Sequence, residues 1–425
     1  MYDTRAMQSR VVVPLILATF ILSSAIAGEG SQATKSSCAR VLGRQGTIAS
    51  LAAPVIPAIP ESNADASIRA FEASKNLSQK MRDNAPDFWS YVARRGSAYY
   101  SPKILSYHGW ILGDLHPGNF IYGPLNGTMS FFVADIKDAG QGPLIADFQR
   151  LVTTTYAVNK KKTPISQTVD LMFDAYLKGV RGQELAMPRK MTKIFKTDAG
   201  EYAQMQSEYI LKQIEGERFR MKPGMVERVS WEKTEPMRYK KLRASLSKAV
   251  TSAYPGAAVL DIASRPRERG GSKELVRYWA LIKQKTELSI IEFKEIGAPA
   301  VAAYQKQTDT VPRYDAIRKI YWPLDDQSYR VVDVDGKEFW MRPKKTDVFR
   351  VPYKLEDEKD VQNLLDIATW EAFDYGKKHA LQTKGLGYAE VLELNKESIK
   401  QSLSTFTTDY ADHIKAGVRE ARGLQ

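Results

Sequence analysis

Cysteine and histidine are scarce in this chain, which has one cysteine, Cys38, and four histidines among 425 residues. A single cysteine excludes a disulfide framework within the chain and any zinc or iron–sulfur site that needs several thiolates. The histidines, at positions 108, 116, 379 and 413, are too scattered to predict a metal site made of imidazoles alone. Internal repeats and low-complexity tracts are also absent. The composition, 43% hydrophobic and 26% charged, is that of an ordinary globular protein.

Acidic residues are outnumbered, with 49 Asp and Glu against 62 Lys and Arg, so the formal net charge is +13. This excess predicts an anionic partner but does not distinguish a nucleotide, a phospholipid or a nucleic acid. Basic clusters at 160–162, 189–196 and 238–243 are typical of solvated faces. The alternative is that they attract an anionic component of the cell envelope. The sequence has no module for nucleic-acid recognition, so nucleic acid is not an expected partner.

Long apolar runs are limited to the N-terminus, where Arg5 and Arg10 precede a run from Val11 to Ala27 that ends in Ala-Ile-Ala. This layout predicts a signal peptide, residues 1–27, cleaved near Ala27. It also predicts a periplasmic or secreted protein with no transmembrane span after cleavage. Because a membrane span needs about 20 apolar residues, the alternative is an uncleaved anchor in the inner membrane. Residues 28–65, rich in Gly, Ser, Ala and Pro, predict a linker.

The rest of the chain changes from helical to strand-like patterning and back. Residues 66–250 have a mostly helical pattern, residues 251–352 are rich in predicted strands, and residues 353–425 return to helix. Two hairpins are predicted in the β-rich part, one over 275–294 and one over 330–342 with Asp-Gly at its turn. The predicted fold class is therefore α+β.

One dense motif carries the predicted chemistry. Asp114 is followed five residues later by Asn119, in the string Gly-Asp-Leu-His-Pro-Gly-Asn. The short apolar run at 130–134, which predicts a buried strand, then leads to Asp135. Phosphoryl transfer needs a carboxylate that accepts or orients the proton of an acceptor hydroxyl. It also needs an amide oxygen and a second carboxylate that hold divalent cations against the nucleotide phosphates. The pattern predicts Asp114 as the base and Asn119 and Asp135 as ligands of Mg²⁺. The alternative is a surface turn rich in Gly, Pro, Asp and Asn.

The string from Gly113 to Asn119 is similar to the catalytic loop of aminoglycoside phosphotransferases and choline kinases. More of the chain resembles a bacterial family called domain of unknown function 2252, in matches that run in order through most of the predicted mature protein. The matching segments are Lys80-Met81, Phe88, Arg95-Gly96, 113–120, 135–151, 261–278, 291–295, 376–380 and 409–411. The resemblance implies a protein-kinase-like fold of two lobes.

The order of the matches implies a permuted arrangement. In kinases the glycine-rich loop and the ATP-binding lysine precede the catalytic aspartate, whereas here the matching positions follow it. The β-rich small lobe is therefore expected after the catalytic loop. The resemblance implies a phosphate loop at Gly270, Gly271 and Ser272 and a phosphate-binding role for Lys294. The alternative for Lys294 is a lysine at a strand edge whose amine reaches solvent.

Four further residues are interpreted as support for this site. His116, inside the loop, is expected to take part in binding rather than in chemistry. Asp147 is expected to accept hydrogen bonds from the loop backbone, Asp138 to lie beside the metal ligands, and Arg150 to pair inside the protein.

Three residues depart from the family pattern at positions that matter for the predicted activity. Lys137 stands where the resemblance implies an acid, and Arg269 and Glu274 stand where it implies glycine. The predicted function is an exported phosphotransferase that uses ATP and Mg²⁺ on a hydroxyl-bearing acceptor, which the sequence does not identify. Two alternatives stay open: a degenerate, non-catalytic binding module of the cell envelope on the same fold, and a nucleotidyltransferase.

Overall fold

The structure is a computed structural model that describes residues 77–159, 162–266, 275–346, 348, 351, 355–384 and 386–421. All of these residues belong to one unit of the chain, Val55–Gln425. The predicted signal peptide, the predicted linker, and the predicted phosphate loop with Gly270, Gly271 and Ser272 lie outside the described residues.

Helices and strands both contribute to the fold, so the predicted α+β class is confirmed at that level. The α-helices are α1 Leu77–Asp83, α2 Ala85–Arg95, α3 Pro102–Leu105, α4 Leu144–Asn159, α5 Ile165–Val180, α6 Arg189–Ile194, α7 Ala199–Leu211, α8 Pro236–Ala253, α9 Thr310–Tyr321, α10 Glu358–Gln382, α11 Tyr388–Leu394 and α12 Lys396–Ala421. The β-strands are β1 His108–Ile111, β2 Phe120–Leu125, β3 Thr128–Val133, β4 Gly140–Pro143, β5 Ile214–Glu215, β6 Arg218–Phe219, β7 Ala258–Ser264, β8 Arg277–Gln284, β9 Glu287–Glu295, β10 Arg330–Val334 and β11 Lys337–Pro343.

The largest sheet has five strands in the order β10-β11-β9-β8-β7, and each neighbouring pair is antiparallel. Side chains on a strand point alternately to the two faces of the sheet. On β8, Tyr278, Ala280 and Ile282 belong to one buried cluster, whereas Trp279 and Leu281 belong to another. The sheet is therefore covered on both faces, which explains why β8 is an almost continuous apolar run.

Both predicted hairpins of this sheet are confirmed. β8 and β9 pair along their length, with Arg277 opposite Lys294, and β10 pairs with β11. At the second turn, Asp335 and Gly336 have φ values of 57° and 79°. Positive φ at both central residues is what a two-residue type I′ turn requires, and an Asp-Gly pair tolerates it.

Helix α8 packs on this sheet, although most of it precedes the predicted boundary at residue 250. Its buried residues Leu242, Leu246, Ala249 and Val250 recur at spacings of three and four and form one stripe along the helix. The stripe belongs to the same buried cluster as the apolar face of β8 that carries Tyr278. By packing, α8 is therefore part of the β-rich region rather than of the preceding helical one.

The largest buried cluster surrounds α4, which is buried along almost its whole length. Two glycines allow the neighbouring helices α5 and α10 to approach closely. A Cβ added at Gly179 would lie 2.1 Å from the carbonyl oxygen of Phe373, and one added at Gly376 would lie 2.2 Å from that of Tyr176. None of the described helices has the length and apolar content that a membrane span needs.

Candidate active site

The loop between β1 and β2 is held in place by Asp147 at the start of α4. As predicted, the Asp147 carboxylate accepts hydrogen bonds from the backbone N–H groups of Leu112 at 2.7 Å and Gly113 at 3.1 Å. Gly113 has φ +73°, and a Cβ there would lie 2.0 Å from the carbonyl oxygen of Asp138, so the turn requires glycine. Burial raises the pKa of Asp147 to about 6, against the opposing effect of hydrogen bonds from Tyr375 and the loop.

Asp114, in this loop, is held by a buried arginine. Arg150 donates from Nε at 3.1 Å and from Nη2 at 2.5 Å, both to Oδ1 of Asp114. Its Nη2 also donates to the carbonyl oxygen of Met81 at 2.9 Å. The expectation that Arg150 pairs inside the protein is confirmed. Because the Asp114 side chain keeps 17% of its surface exposed, the carboxylate is fixed from the interior and is still accessible from outside.

Asn119 is anchored to Asp114, and His116 contacts its own loop. The Asn119 side chain donates from Nδ2 to the carbonyl oxygen of Asp114 at 2.6 Å, and its backbone N–H donates to the carbonyl oxygen of His116 at 3.0 Å. His116 is buried, and its Nδ1 lies 3.3 Å from the carbonyl oxygen of Pro117. The structure therefore brings Asn119 and Asp114 together, whereas a binding role for His116 stays a prediction.

Lys294 on β9 reaches Asp135, which follows the end of β3 by two residues. The Nζ atom of Lys294 lies 2.7 Å and 3.0 Å from the two carboxylate oxygens of Asp135. The Lys294 side chain is 2% exposed and that of Asp135 is 33% exposed. The alternative prediction for Lys294, a lysine at a strand edge whose amine reaches solvent, is therefore wrong. The contact connects the five-stranded sheet to the segment that follows the Asp114 loop.

Both members of this pair have lowered pKa values. Burial lowers the pKa of Lys294, and the neighbouring cations Lys137, Arg277 and Arg342 lower it further, while Asp135 opposes them. Burial alone would raise the pKa of Asp135, but Lys294, Lys137 and Arg342 hold it well below its usual range. These cations therefore favour the ionised form of Asp135.

Lys137 places a second ammonium group at the site. It donates from Nζ to Oδ2 of Asp138, whose Oδ1 accepts the backbone N–H of Ala300 at 3.2 Å. Burial alone would lower the pKa of Lys137, but the carboxylates of Asp138, Asp135 and Asp114 raise it. Asp138 therefore belongs to the same cluster as Asp135, as predicted, and its contact there is with a lysine.

Comparison with known proteins finds no matching family model, no matching curated protein and no matching solved structure. The kinase-like fold and the family that the motifs resemble therefore stay predictions.

The sequence interpretation missed the charged residues behind Lys294. Glu292, also on β9, pairs with Arg342 at 2.6 Å and with Arg277 at 3.5 Å. Arg342 also donates to the carbonyl oxygen of Ala134, next to Asp135, at 2.7 Å. The signal was present, because Glu292 and Lys294 alternate with apolar residues on one strand. It predicts a polar stripe on one face of the sheet, but not the partners of that stripe.

The carboxylates of the site do not fit the predicted magnesium centre. Mg²⁺ prefers hard oxygen ligands and keeps several of its waters. Each carboxylate here already has a cationic partner: Asp114 has Arg150, Asp135 has Lys294 and Asp138 has Lys137. Within the described part of the chain, no three His, Cys, Asp or Glu side chains are grouped so that they could hold a metal ion.

Proposed function

We propose that this protein is a kinase-like phosphotransferase that binds ATP and modifies a hydroxyl group of an acceptor still to be identified. One observation carries the proposal, the contact of the buried Lys294 with Asp135. Asn119 hydrogen-bonds to the backbone of Asp114, and the carboxylates of Asp114 and Asp135 both raise the pKa of Lys137, which supports a single site. A salt bridge with a purely structural role would account for the contact between Lys294 and Asp135. It would not account for the position of this contact beside the loop that carries Asp114 and Asn119.

In this proposal Asp114 orients the acceptor hydroxyl and takes its proton. Arg150 holds Oδ1 of the carboxylate, and the partial exposure of Asp114 leaves room for an acceptor. A positioned general base contributes about 10²–10⁴-fold to a rate. Asn119 fixes the backbone of Asp114 through its amide. No step of the reaction is assigned to Mg²⁺.

Lys294 supplies positive charge to the phosphate groups of the nucleotide in this proposal. Phosphoryl transfer depends on positioning and on neutralising charge that spreads over the phosphate oxygens. The ammonium group of Lys294 would then contact both a phosphate oxygen and the Asp135 carboxylate. The phosphate loop at Gly270, Gly271 and Ser272 stays a prediction from the sequence.

Calorimetric titration with ATP, in EDTA and separately in excess Mg²⁺, tests the nucleotide site. We expect the wild type to bind ATP and Lys294→Met to weaken binding at least about tenfold, because a charge-assisted contact to phosphate is lost. Lys283→Met is the matched control, since Lys283 lies toward the opposite end of the hairpin, pairs with Glu217 and is 43% exposed. Absence of ATP binding by folded wild type in both buffers contradicts the proposal.

Transfer itself is tested by incubating the protein with γ-labelled ATP and fractionated envelope extract. We expect Asp114→Asn to lower labelling at least about 100-fold while ATP binding is kept. Asp412→Asn, a change at an exposed position of α12, should leave labelling unchanged. The mass added to the acceptor separates phosphate from a nucleotidyl group, which is the product of the alternative reaction.

A non-catalytic binding module of the cell envelope is the second candidate. The cationic partners of Asp114 and Asp138 favour it, because both carboxylates are neutralised within the protein. The N-terminal pattern also favours it, since ATP is scarce outside the cytoplasm. In this case a folded Asp114→Asn variant keeps both ATP binding and the cellular phenotype. Loss of the phenotype in that variant supports the phosphotransferase.

A further inference from the structure

The ammonium group of Lys137 lies in a cluster of three carboxylates. It donates to Oδ2 of Asp138 and interacts electrostatically with Asp135 and Asp114. The side chains of Lys137 and Asp138 are 13% and 7% exposed. This is therefore an interior contact and not one of the solvated surface pairs whose energetic contribution is small.

The backbone around Lys137 is held from a neighbouring helix. Arg313 on α9 is buried and donates from Nη1 to the carbonyl oxygens of Lys137 at 3.0 Å and Ala139 at 2.8 Å. Between these two carbonyls, the Asp138 side chain accepts the backbone N–H of Ala300. These bonds hold the backbone on both sides of Asp138 and so fix the position from which the Lys137 side chain extends.

Each of three carboxylates in the cluster is paired with one cation. The carboxylates are Asp114, Asp135 and Asp138, and the cations are Arg150, Lys294 and Lys137. Coulomb interactions are stronger in a protein interior than in water, so one charge changes the ion preference of such a cluster. A dication added to the native cluster would compete with a cationic side chain at each of the three carboxylates. With a neutral residue at position 137, the Asp138 carboxylate would have no ammonium partner.

We infer that Lys137 is a built-in replacement for a divalent cation, so that Lys137 and Lys294 together neutralise the phosphate groups of the ligand without a metal ion. The identity of that ligand, a nucleotide, rests on the proposed function, whereas the replacement of the metal does not. An ammonium group is a compact charge with three donors. It can therefore contact a carboxylate and a phosphate oxygen at the same time.

Titration with Mn²⁺, followed by electron paramagnetic resonance in the absence of nucleotide, tests the replacement. Mn²⁺ takes the same oxygen ligands as Mg²⁺, and the signal of free Mn²⁺ falls as the ion binds. We expect no specific binding by the wild type and at least about tenfold tighter binding by Lys137→Gln. The double variant K137Q/D135N should lose this gain, and Lys283→Gln should behave as the wild type.

Two results of this titration overturn the inference. One is Mn²⁺ binding by the wild type that Asp135→Asn abolishes, since the native site would then be a metal site. The other is a folded K137Q variant that gains no affinity for Mn²⁺. Lys137→Met, which keeps the apolar stem of the side chain, serves as the second variant if K137Q fails to fold by circular dichroism.

ATP binding in EDTA and in Mg²⁺ separates this inference from the proposed function. We expect the two wild-type affinities to agree within about twofold, whereas K137Q binds at least about tenfold more tightly with Mg²⁺. Wild-type binding that requires Mg²⁺ supports the proposed function and overturns the inference. Absence of ATP binding in both buffers contradicts the proposed function and leaves the Mn²⁺ result to decide the inference.

Discussion

Lys294 and Asp135 form a two-point ion pair whose members differ in their access to solvent. Lys294 is almost completely buried, whereas a third of the Asp135 side chain is exposed, and Nζ contacts both carboxylate oxygens within 3.0 Å. An exposed carboxylate that loses its partner can be solvated by water. A buried ammonium group that loses its partner cannot, so removing one residue is not equivalent to removing the other.

This asymmetry predicts that Asp135→Asn is more destabilising than Lys294→Met. Asp135→Asn leaves the buried Lys294 amine without its carboxylate partner, at the cost of either an unpaired buried charge or a lost proton, and is expected to lower the free energy of unfolding by about 3 kcal/mol. Lys294→Met leaves a carboxylate that water reaches and that Lys137 and Arg342 still stabilise, so the loss should be smaller. Urea unfolding of both single variants and the double variant measures the difference.

The pair of Lys337 and Glu295 on the same sheet is a matched control. These residues form an ion pair at 2.7 Å, but Lys337 is 60% exposed. Lys337→Met should therefore cost less than about 1 kcal/mol. If Asp135→Asn and Lys294→Met lowered the free energy of unfolding equally, the burial of Lys294 would not determine the cost of breaking this pair.

The close contact of α5 and α10 predicts that alanine is not tolerated at its two glycines. In Gly179→Ala or Gly376→Ala the new methyl group would meet a backbone carbonyl oxygen within 2.2 Å. A backbone carbonyl cannot move aside as a flexible side chain can. We therefore expect each change to lower the free energy of unfolding by about 1–3 kcal/mol, measured by thermal or urea unfolding. Gly417→Ala on α12 has open space around the added Cβ and should be neutral or stabilising by up to about 1 kcal/mol. Equal effects at all three glycines would argue against close helix packing.

Burial of His379 predicts a loss of stability in mild acid. His379 on α10 is buried, its Nδ1 lies 2.7 Å from the hydroxyl of Tyr176, and burial lowers its pKa to about 3. Below an unfolded pKa of about 6.5 the unfolded chain therefore binds a proton that the folded chain excludes. The contribution of His379 to stability is complete above that pH and falls by about 2 kcal/mol between pH 6.5 and pH 5.

The measurement is urea unfolding at pH 7 and pH 5, compared between the wild type and His379→Asn. The variant should lose less stability between these pH values, because it has no group that titrates at this position. His413→Asn, at a partly exposed position of α12, should retain the wild-type loss. An unchanged loss in His379→Asn would show that other groups cause the acid sensitivity.

Local patterns predicted the elements that carry the site. The alternation of apolar residues and the Asp-Gly turn predicted the β10–β11 hairpin, and the run after residue 130 predicted the strand that leads to Asp135. Asp147 was predicted to accept hydrogen bonds from the backbone of the Asp114 loop, and this contact is present, as is a contact between Asn119 and Asp114. The hairpin, the strand and the contact of Asn119 with Asp114 depend on residues close together in the chain, whereas Asp147 lies 35 residues from Leu112.

Packing decided where helix α8 belongs. Its apolar stripe is visible in the sequence, but the stripe does not specify whether the helix covers the sheet or joins the helices that precede it. In the folded protein it belongs to the cluster of the sheet.

By itself, then, the sequence determined the hairpins, their turns and the short-range contacts of the Asp114 loop, because these depend on neighbouring residues. Only the tertiary structure decided which cation neutralises which carboxylate. Asp114 contacts Arg150, which lies 36 residues away, and Asp135 contacts Lys294, which lies 159 residues away. Such pairings depend on how distant segments pack and on which charges burial forces together. A list of residue types and spacings does not contain that information.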